Sequence, residues 1–353
     1  MKRHKTSIKK WWKQYSNYLF LIFLVAATVA VIWTQIDFKV FVKTLKKANL
    51  LFLGLGILCV VIYWLLEGYM ILKLLQRDQK NERFSFAMVV TIVGQYYNLV
   101  TPGSSGGQPL QLYEMTKHGY SMGSGTAVLV QKYALYQITV TLIAVLATLL
   151  NLNYINTSLP AVRGLVAVGL IINIAGALLV IMMALNAELC RRFLTGCVRF
   201  LNRLHIIKDV AGFYDKIDQF VDDYRSAIDG LKKNKLETLG LFGVSVAQIL
   251  VFFSINYLVY RSLGLSGASP FLIISMQAIL YVAVAFIPTP GAAGGAEAGF
   301  ALVFAPIYGS FNTSVGLVVW RIITFYFIIL FGGIFLAVRS AMLGRKQRKE
   351  KGV

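Results

Sequence analysis

Thr101-Pro102-Gly103-Ser104-Ser105-Gly106-Gly107 returns 188 positions later as Thr289-Pro290-Gly291-Ala292-Ala293-Gly294-Gly295. Both copies lie inside strongly apolar stretches, where proline and clustered glycine break a helix. In lipid a broken helix leaves backbone N–H and C=O groups without water to bond. Irregular backbone at that depth survives only when it is buried in protein or lines a cavity. Two broken apolar segments at matching places in two halves of a chain point to a binding site of the transporter type.

The rest of the composition agrees with a membrane setting. Hydrophobic residues make up 57% of the 353 positions and the mean hydropathy is +0.67, well above the roughly 45–50% apolar content of soluble domains. Several runs reach the roughly 20 residues that cross a bilayer. The formal charge of +20 gathers in loops and tails, where Lys and Arg hold segments on the cytoplasmic side and attract anionic lipid. No nucleic-acid partner is expected from it. Cys59, Cys190 and Cys197 form no CxxC pair, and His4, His118 and His205 are scattered. No disulfide framework, metal site or cofactor is therefore expected, and no catalytic Ser/His/Asp or Cys/His set is visible.

In chain order, residues 1–13 carry Lys2, Arg3, Lys5, Lys9, Lys10 and Lys13 beside Trp11 and Trp12, a basic interfacial start that predicts a cytoplasmic N-terminus. Residues 18–35 read as a first span, with a signal peptide as the alternative. Residues 36–49 have the spacing of an amphipathic surface helix. Spans follow at 50–73, 124–150, 162–185, 237–262 and 313–340. The apolar stretch 86–100 leads into the first turn and 108–117 leads out of it. Stretches 270–287 and 297–308 do the same for the second, so each copy reads as a re-entrant hairpin, with a full span in place of either as the alternative. A short outside loop is expected at 151–161. Residues 186–236 read as a cytoplasmic helical linker between halves 1–185 and 237–353. The basic tail from Arg345 to Lys351 predicts a cytoplasmic C-terminus. The expected fold is an all-α polytopic membrane protein with about 6–8 transmembrane helices and two broken hairpins, one entering from each side, as an inverted repeat requires.

A second trace of duplication follows each turn. Lys132 stands 25 positions after Gly107, and Arg321 stands 26 after Gly295, each inside a span. An uncompensated base in hydrocarbon costs about 2.5–3.5 kcal/mol, so it faces protein or a wet cavity. Broken helices present free N–H groups and a partial positive end, which favour phosphate or carboxylate. Gly103, Gly106, Gly107, Gly291, Gly294 and Gly295 let a ligand approach backbone. With Lys132 and Arg321 they make a candidate site for an anionic headgroup. Against this stands close helix packing by the glycines and internal pairing of the bases. Glu297 has Arg321 as its first expected partner, and Gln108 with Pro109 occupies the matching place in the first copy. Glu67 and Glu114 read as interfacial and solvated, and Tyr96, Tyr97 and Trp320 as packing aromatics.

At NLVTPGSSGGQP (98–109), FIPTPGAAGGAE (286–297) and Arg321, the chain resembles the lysylphosphatidylglycerol synthase transmembrane-domain family, also called flippase-like proteins. The resemblance covers essentially the whole chain. It implies a membrane domain that moves modified phospholipids or polyprenyl lipids between leaflets of the cell membrane. In the bifunctional members a soluble C-terminal domain lysylates phosphatidylglycerol from aminoacyl-tRNA. This chain ends at Val353, soon after its last span, so lysyl transfer by it alone is not expected. Gln108 stands where relatives often carry Glu in GGEP, a departure that weakens a lysylated lipid as substrate if that Glu carries charge coupling or recognises a cationic lipid. Three roles stay open: a lipid flippase, a component of lysylphosphatidylglycerol synthesis working with a separate lipid-modifying enzyme, and a non-transporting partner of an envelope enzyme. Homo-oligomerisation stays open as well.

Overall fold

The computed structural model describes residues 46, 48–77, 81–203, 214–215, 217–225 and 235–350. The predicted first span at 18–35, and nearly all of the amphipathic stretch at 36–49, lie outside the described residues. Helix α1 runs Leu50–Leu75 and starts where the Asn49 side chain accepts the Leu51 N–H, which satisfies one of its orphan donors. Helix α2, Phe84–Val100, stops at the Thr101-Pro102 step, as a residue before proline commonly does. A 3₁₀ turn at Pro102–Ser104 then leads into α3, Gly107–Lys117. Helix α4, Met122–Leu150, starts from a Ser121 cap.

The expected loop at 151–161 is instead a short helix, α5 (Leu152–Ser158), and a 3₁₀ turn. Its register buries Ile155, Leu159 and Val162 in the main core. Helix α6 is Arg163–Leu185 and α7 is Ala187–Arg203. Beyond α7 the described residues 214–215 and 217–225 are helical, and Asp218 accepts from Arg191 at 2.9 Å. The second half repeats the first. Helix α8, Lys235–Ser262, precedes α9, Pro270–Val284, which is capped by Ser269. A 3₁₀ turn at Pro290–Ala292 leads to α10, Gly295–Tyr308. Helix α11, Ser310–Arg321, continues through a π-helical turn, Ile322–Tyr326, into α12, Phe327–Glu350.

This is an all-α polytopic membrane protein, with no strand among the described residues. Among the described residues, five stretches are long and apolar enough to cross a bilayer: α1, α4, the α6 segment, α8 and the continuous α11–α12 rod. Large side chains such as Ile171 and Leu330 are two-thirds exposed on these rods, an outward apolar surface that lipid would cover.

The two halves run in opposite directions. Helices α1 and α8 hold matching places in the repeat and lie side by side. Asn49 at the start of α1 donates its N–H to the Ser262 carbonyl at the end of α8, 2.8 Å. Midway, Cys59 meets Ser254 and Gln248 reaches the Tyr63 carbonyl. At the other end Arg77 pairs with Glu237 at 3.2 Å. Two repeat-equivalent helices in antiparallel contact mean that the copies are inverted with respect to each other.

Each hairpin also folds back on itself. In the first, Gln111 of α3 donates to the Val90 carbonyl of α2, and Gly107 lies against Asn98 and the Gly94 carbonyl. In the second, Gly295 lies against Ile287, and Gly299 against Leu280 and Val284. The arms of a hairpin therefore begin and end on one side of the bundle. The two turns pack against each other, with α2 also reaching the second turn. The hairpins thus meet tip to tip, with residues 102–105 exposed and the second turn partly buried.

Candidate functional site

The turns share one backbone. Gly103 has φ 59 and ψ 24, and Gly291 has φ 58 and ψ 24. The next residues, Ser104 and Ala292, are left-handed as well, at φ 54 and 52. Two successive left-handed residues, one of them not glycine, cost about 1–2 kcal/mol at that residue. Strain of this kind persists only where the surroundings impose it. The copies then diverge. Ser105 and Gly106 turn right-handed, and the Gly106 N–H is capped by the Thr101 hydroxyl at 2.8 Å. In the second copy Ala293 is extended and Gly294 is left-handed at φ 85. That turns the Gly294 N–H onto the Glu297 carboxylate, 2.6 Å away, so a charged side chain caps α10.

Arg321 completes the second site. Its Nε lies 2.7 Å from Glu297 Oε1, a largely buried ion pair. Nη1 donates to the Gly291 carbonyl at 3.2 Å. Nη2 is buried and has no hydrogen-bond partner among the described residues. The rings of Trp320 and Phe325 flank the guanidinium at 5.0 and 5.4 Å, within cation–π range. Arg321 is only 8% exposed, whereas the Glu297 side chain is 26% exposed. Phe325 belongs to the π-helical turn that opens directly after Arg321, a feature frequent at functional sites. A Cβ on Gly291 would stand 2.3 Å from the Phe325 ring, so only glycine lets turn and ring close on the guanidinium.

Lys132 sits elsewhere. Its Nζ is 2.7 Å from Glu67 Oε1 and 3.4 Å from Gln111 Oε1. Glu67 also receives Gln95 at 2.5 Å and Gln248 at 3.5 Å. The cluster draws on α1, α2, α3, α4 and α8, and so joins both halves. Glu67 is 3% exposed, which corrects the expectation of a solvated interfacial carboxylate. Glu114 is corrected in the same way, since it holds Arg339 of α12 at 2.6 Å. Lys132 lies 10 residues past the start of α4, about 15 Å along it. Arg321 lies 11 past the start of α11, about 16 Å. Counted from those helix starts, each distance is about half of a roughly 30 Å hydrocarbon core.

The predicted site residues thus fall into two groups. Arg321, Glu297, Gly291 and Gly294 form one cluster, and the first turn with Gly103, Gly106 and Gly107 packs onto the turn that carries it. Lys132 does not join them; it has its own carboxylate. Open space faces Gly103 and Gly294, while Gly106, Gly107 and Gly295 are closely packed against neighbours. Gln108 is half-buried on the first turn of α3. Sequence reasoning missed Gln95, Gln111 and Gln248. Their signal was an amide inside an apolar helix, which needs a partner where water is absent.

Two comparisons with known proteins bear on this arrangement. The chain is 24% identical over 326 residues to a "UPF0104 membrane protein" of Archaeoglobus fulgidus, covering 87% of this chain and 92% of that protein. The family described as "Lysylphosphatidylglycerol synthase TM region" matches residues 19–332. That match takes in most of both halves, both turns, and Glu67, Lys132, Glu297 and Arg321, and the chain belongs to this family of multi-pass membrane proteins.

Proposed function

We propose that this protein moves a lipid with an anionic, phosphate-bearing headgroup between the two leaflets of the cell membrane. One observation carries the reading: a nine-tenths-buried guanidinium with a free N–H stands where two inverted hairpins meet. Arg grips phosphate with two parallel N–H bonds, and Nη2 with Nη1 offers such a fork once the Gly291 carbonyl yields. The N-terminus of α10 adds its partial positive charge beside it. Glu297, partly exposed, is the anion that a headgroup would displace. Inverted repeats supply the motion, since exchanging the conformations of the two halves opens the centre to the opposite leaflet. The bases of the linker and tail support a reading in which both termini face the cytoplasm.

Purified protein in phosphatidylglycerol vesicles, with leaflet-selective quenching of a labelled lipid, tests this. The wild type should speed transbilayer movement well above protein-free vesicles, and Arg321→Ala should remove the acceleration while expressing and eluting normally. Wild-type rates in Arg321→Ala would discard the site. A second reading, a component of lysylphosphatidylglycerol synthesis, draws on the family's description. It is separated by extracting lipids after heterologous expression, where new lysylphosphatidylglycerol would favour it.

A further inference from the structure

The Glu67 cluster is not needed to hold a lipid at Arg321, yet it is more completely enclosed. One carboxylate receives Lys132 on one oxygen, and Gln95 and Gln248 on the other. Gln248 is 1% exposed, and its own Oε1 is buried without a hydrogen-bond partner among the described residues. An unsatisfied buried acceptor beside a carboxylate is costly as it stands. It becomes satisfied if the carboxylate takes up a proton: the Gln248 amide pivots, and the new Glu67 O–H donates to Oε1.

The same proton changes what Lys132 can do. While Glu67 is ionised, the pair is neutral, and a phosphate at Lys132 would face a second anion across a low-dielectric gap. With Glu67 neutral, the ammonium keeps its charge and loses its counter-ion. The titratable groups facing Glu67 are Lys132 from α4 and Tyr63 from α1, which accepts from Gln95 at 3.4 Å. Behind Tyr63 lies the Tyr136–Tyr281 hydroxyl pair from α4 and α9. The neighbours from α2, α3 and α8 are the amides of Gln95, Gln111 and Gln248, which do not titrate. Lys132 is the one cation bonded to Glu67 among the described residues.

Resting on the lipid movement proposed above, we infer that Glu67 is a proton site, and that Lys132 takes a phosphate-bearing headgroup only while Glu67 is protonated. One proton then travels with each lipid. The empty site holds Glu67 carboxylate and Lys132 ammonium; the loaded site holds Glu67 carboxylic acid, Lys132 ammonium and one anion. Both are neutral, so neither state carries uncompensated charge through the bilayer centre.

The experiment uses wild-type proteoliposomes containing labelled phosphatidylglycerol and an internal pH dye, with a gradient of one pH unit. Neutral co-movement of lipid and proton drives up to about a tenfold excess of label into the leaflet on the alkaline side, since one unit is a factor of ten in proton activity. Glu67→Gln, permanently uncharged, should still exchange label but leave the leaflets equal under the gradient. Should that variant fail to fold, binding of phosphatidylglycerol to detergent-solubilised wild type is followed with a pH indicator, and about one proton taken up per lipid is expected. Equal leaflets in the wild type under the gradient, a persisting excess in Glu67→Gln, or no proton uptake on binding overturns the inference. The absence of any protein-dependent movement at every pH instead overturns the proposed function. Vesicles of phosphatidylcholine alone, given external inorganic phosphate, should show no internal pH change. A change there would reassign the site to free phosphate.

Discussion

Removing the charge of Glu297 should expose how far Arg321 depends on it. In the folded protein Arg321 is 8% exposed and has one carboxylate, one carbonyl and two flanking rings around its guanidinium. Breaking a fully buried pair by deleting one partner costs about 3–5 kcal/mol. Glu297 keeps about a quarter of its side chain open, so water screens part of the loss, and Glu297→Gln should cost roughly 2–3 kcal/mol. The glutamine oxygen can still cap Gly294. Glu297→Ala loses that cap too and should cost about 1 kcal/mol more. Arg321→Met with Glu297→Gln removes both charges while keeping volume, and should fall within about 1 kcal/mol of wild type. Arg321→Met alone leaves the partly exposed Glu297 to water and should cost about 1 kcal/mol, so the coupling, measured by reversible unfolding with dodecyl sulfate in mixed micelles, is expected near 2–3 kcal/mol in magnitude. Phosphatidylglycerol added to the micelles should restore much of the loss in Glu297→Gln, by about 2.7 kcal/mol at a hundred times its dissociation constant. Additive effects within about 0.5 kcal/mol would show that the two side chains do not rely on each other. Equal lipid stabilisation of wild type and variant would show that the guanidinium is not where the lipid binds.

The inverted pairing is checked with cysteine pairs in a background lacking Cys59, Cys190 and Cys197. Asn49→Cys with Ser262→Cys and Arg77→Cys with Glu237→Cys should both crosslink, whereas Asn49→Cys with Glu237→Cys should not; the reverse pattern would mean parallel helices. The two turns offer a matched comparison, because Gly103 and Gly291 share φ and ψ but not surroundings. Gly103→Ala meets only left-handed strain of about 1–2 kcal/mol. Gly291→Ala adds the collision with Phe325, about 1–3 kcal/mol more. Equal losses of unfolding stability would contradict that packing.

The hairpins were legible because their signals are local. A proline and three glycines inside an apolar run stop a helix wherever they stand, and the observed arms, Phe84–Val100 with Gly107–Lys117 and Pro270–Val284 with Gly295–Tyr308, follow the predicted stretches closely. Lys132 and Arg321 were legible for the same reason, as charges with no local cause to be there. Glu297 also stood close to its partner in the repeat logic. Glu67 was not legible. It lies eight residues from the end of a 26-residue helix, close enough to an end to read as solvated, and its partner is 65 positions away. The packing of α2, α4 and α8 against α1 encloses it. Gln248 was hidden twice over, since its role depends on the antiparallel pairing of the two halves.

The duplication separates what both copies keep from what each adds. The turn and the cation recur in both. The carboxylates do not: stepping Glu67 forward by the repeat reaches Ile255, and stepping Glu297 back reaches Pro109. Proline can supply neither a charge nor an N–H to the first hairpin. Each half therefore neutralises a repeat-related cation with a carboxylate of its own, from a long helix in one case and a hairpin arm in the other. An ion pair that served only to hide a charge could be replaced on both sides by apolar residues at little cost. Keeping the cation in both halves, while its counter-ion changes place, points to the positive charge as the functional part and to the carboxylate as its local control. Under the proposed function, the enclosed Glu67 and the partly open Glu297 would give the two halves different thresholds for releasing that charge.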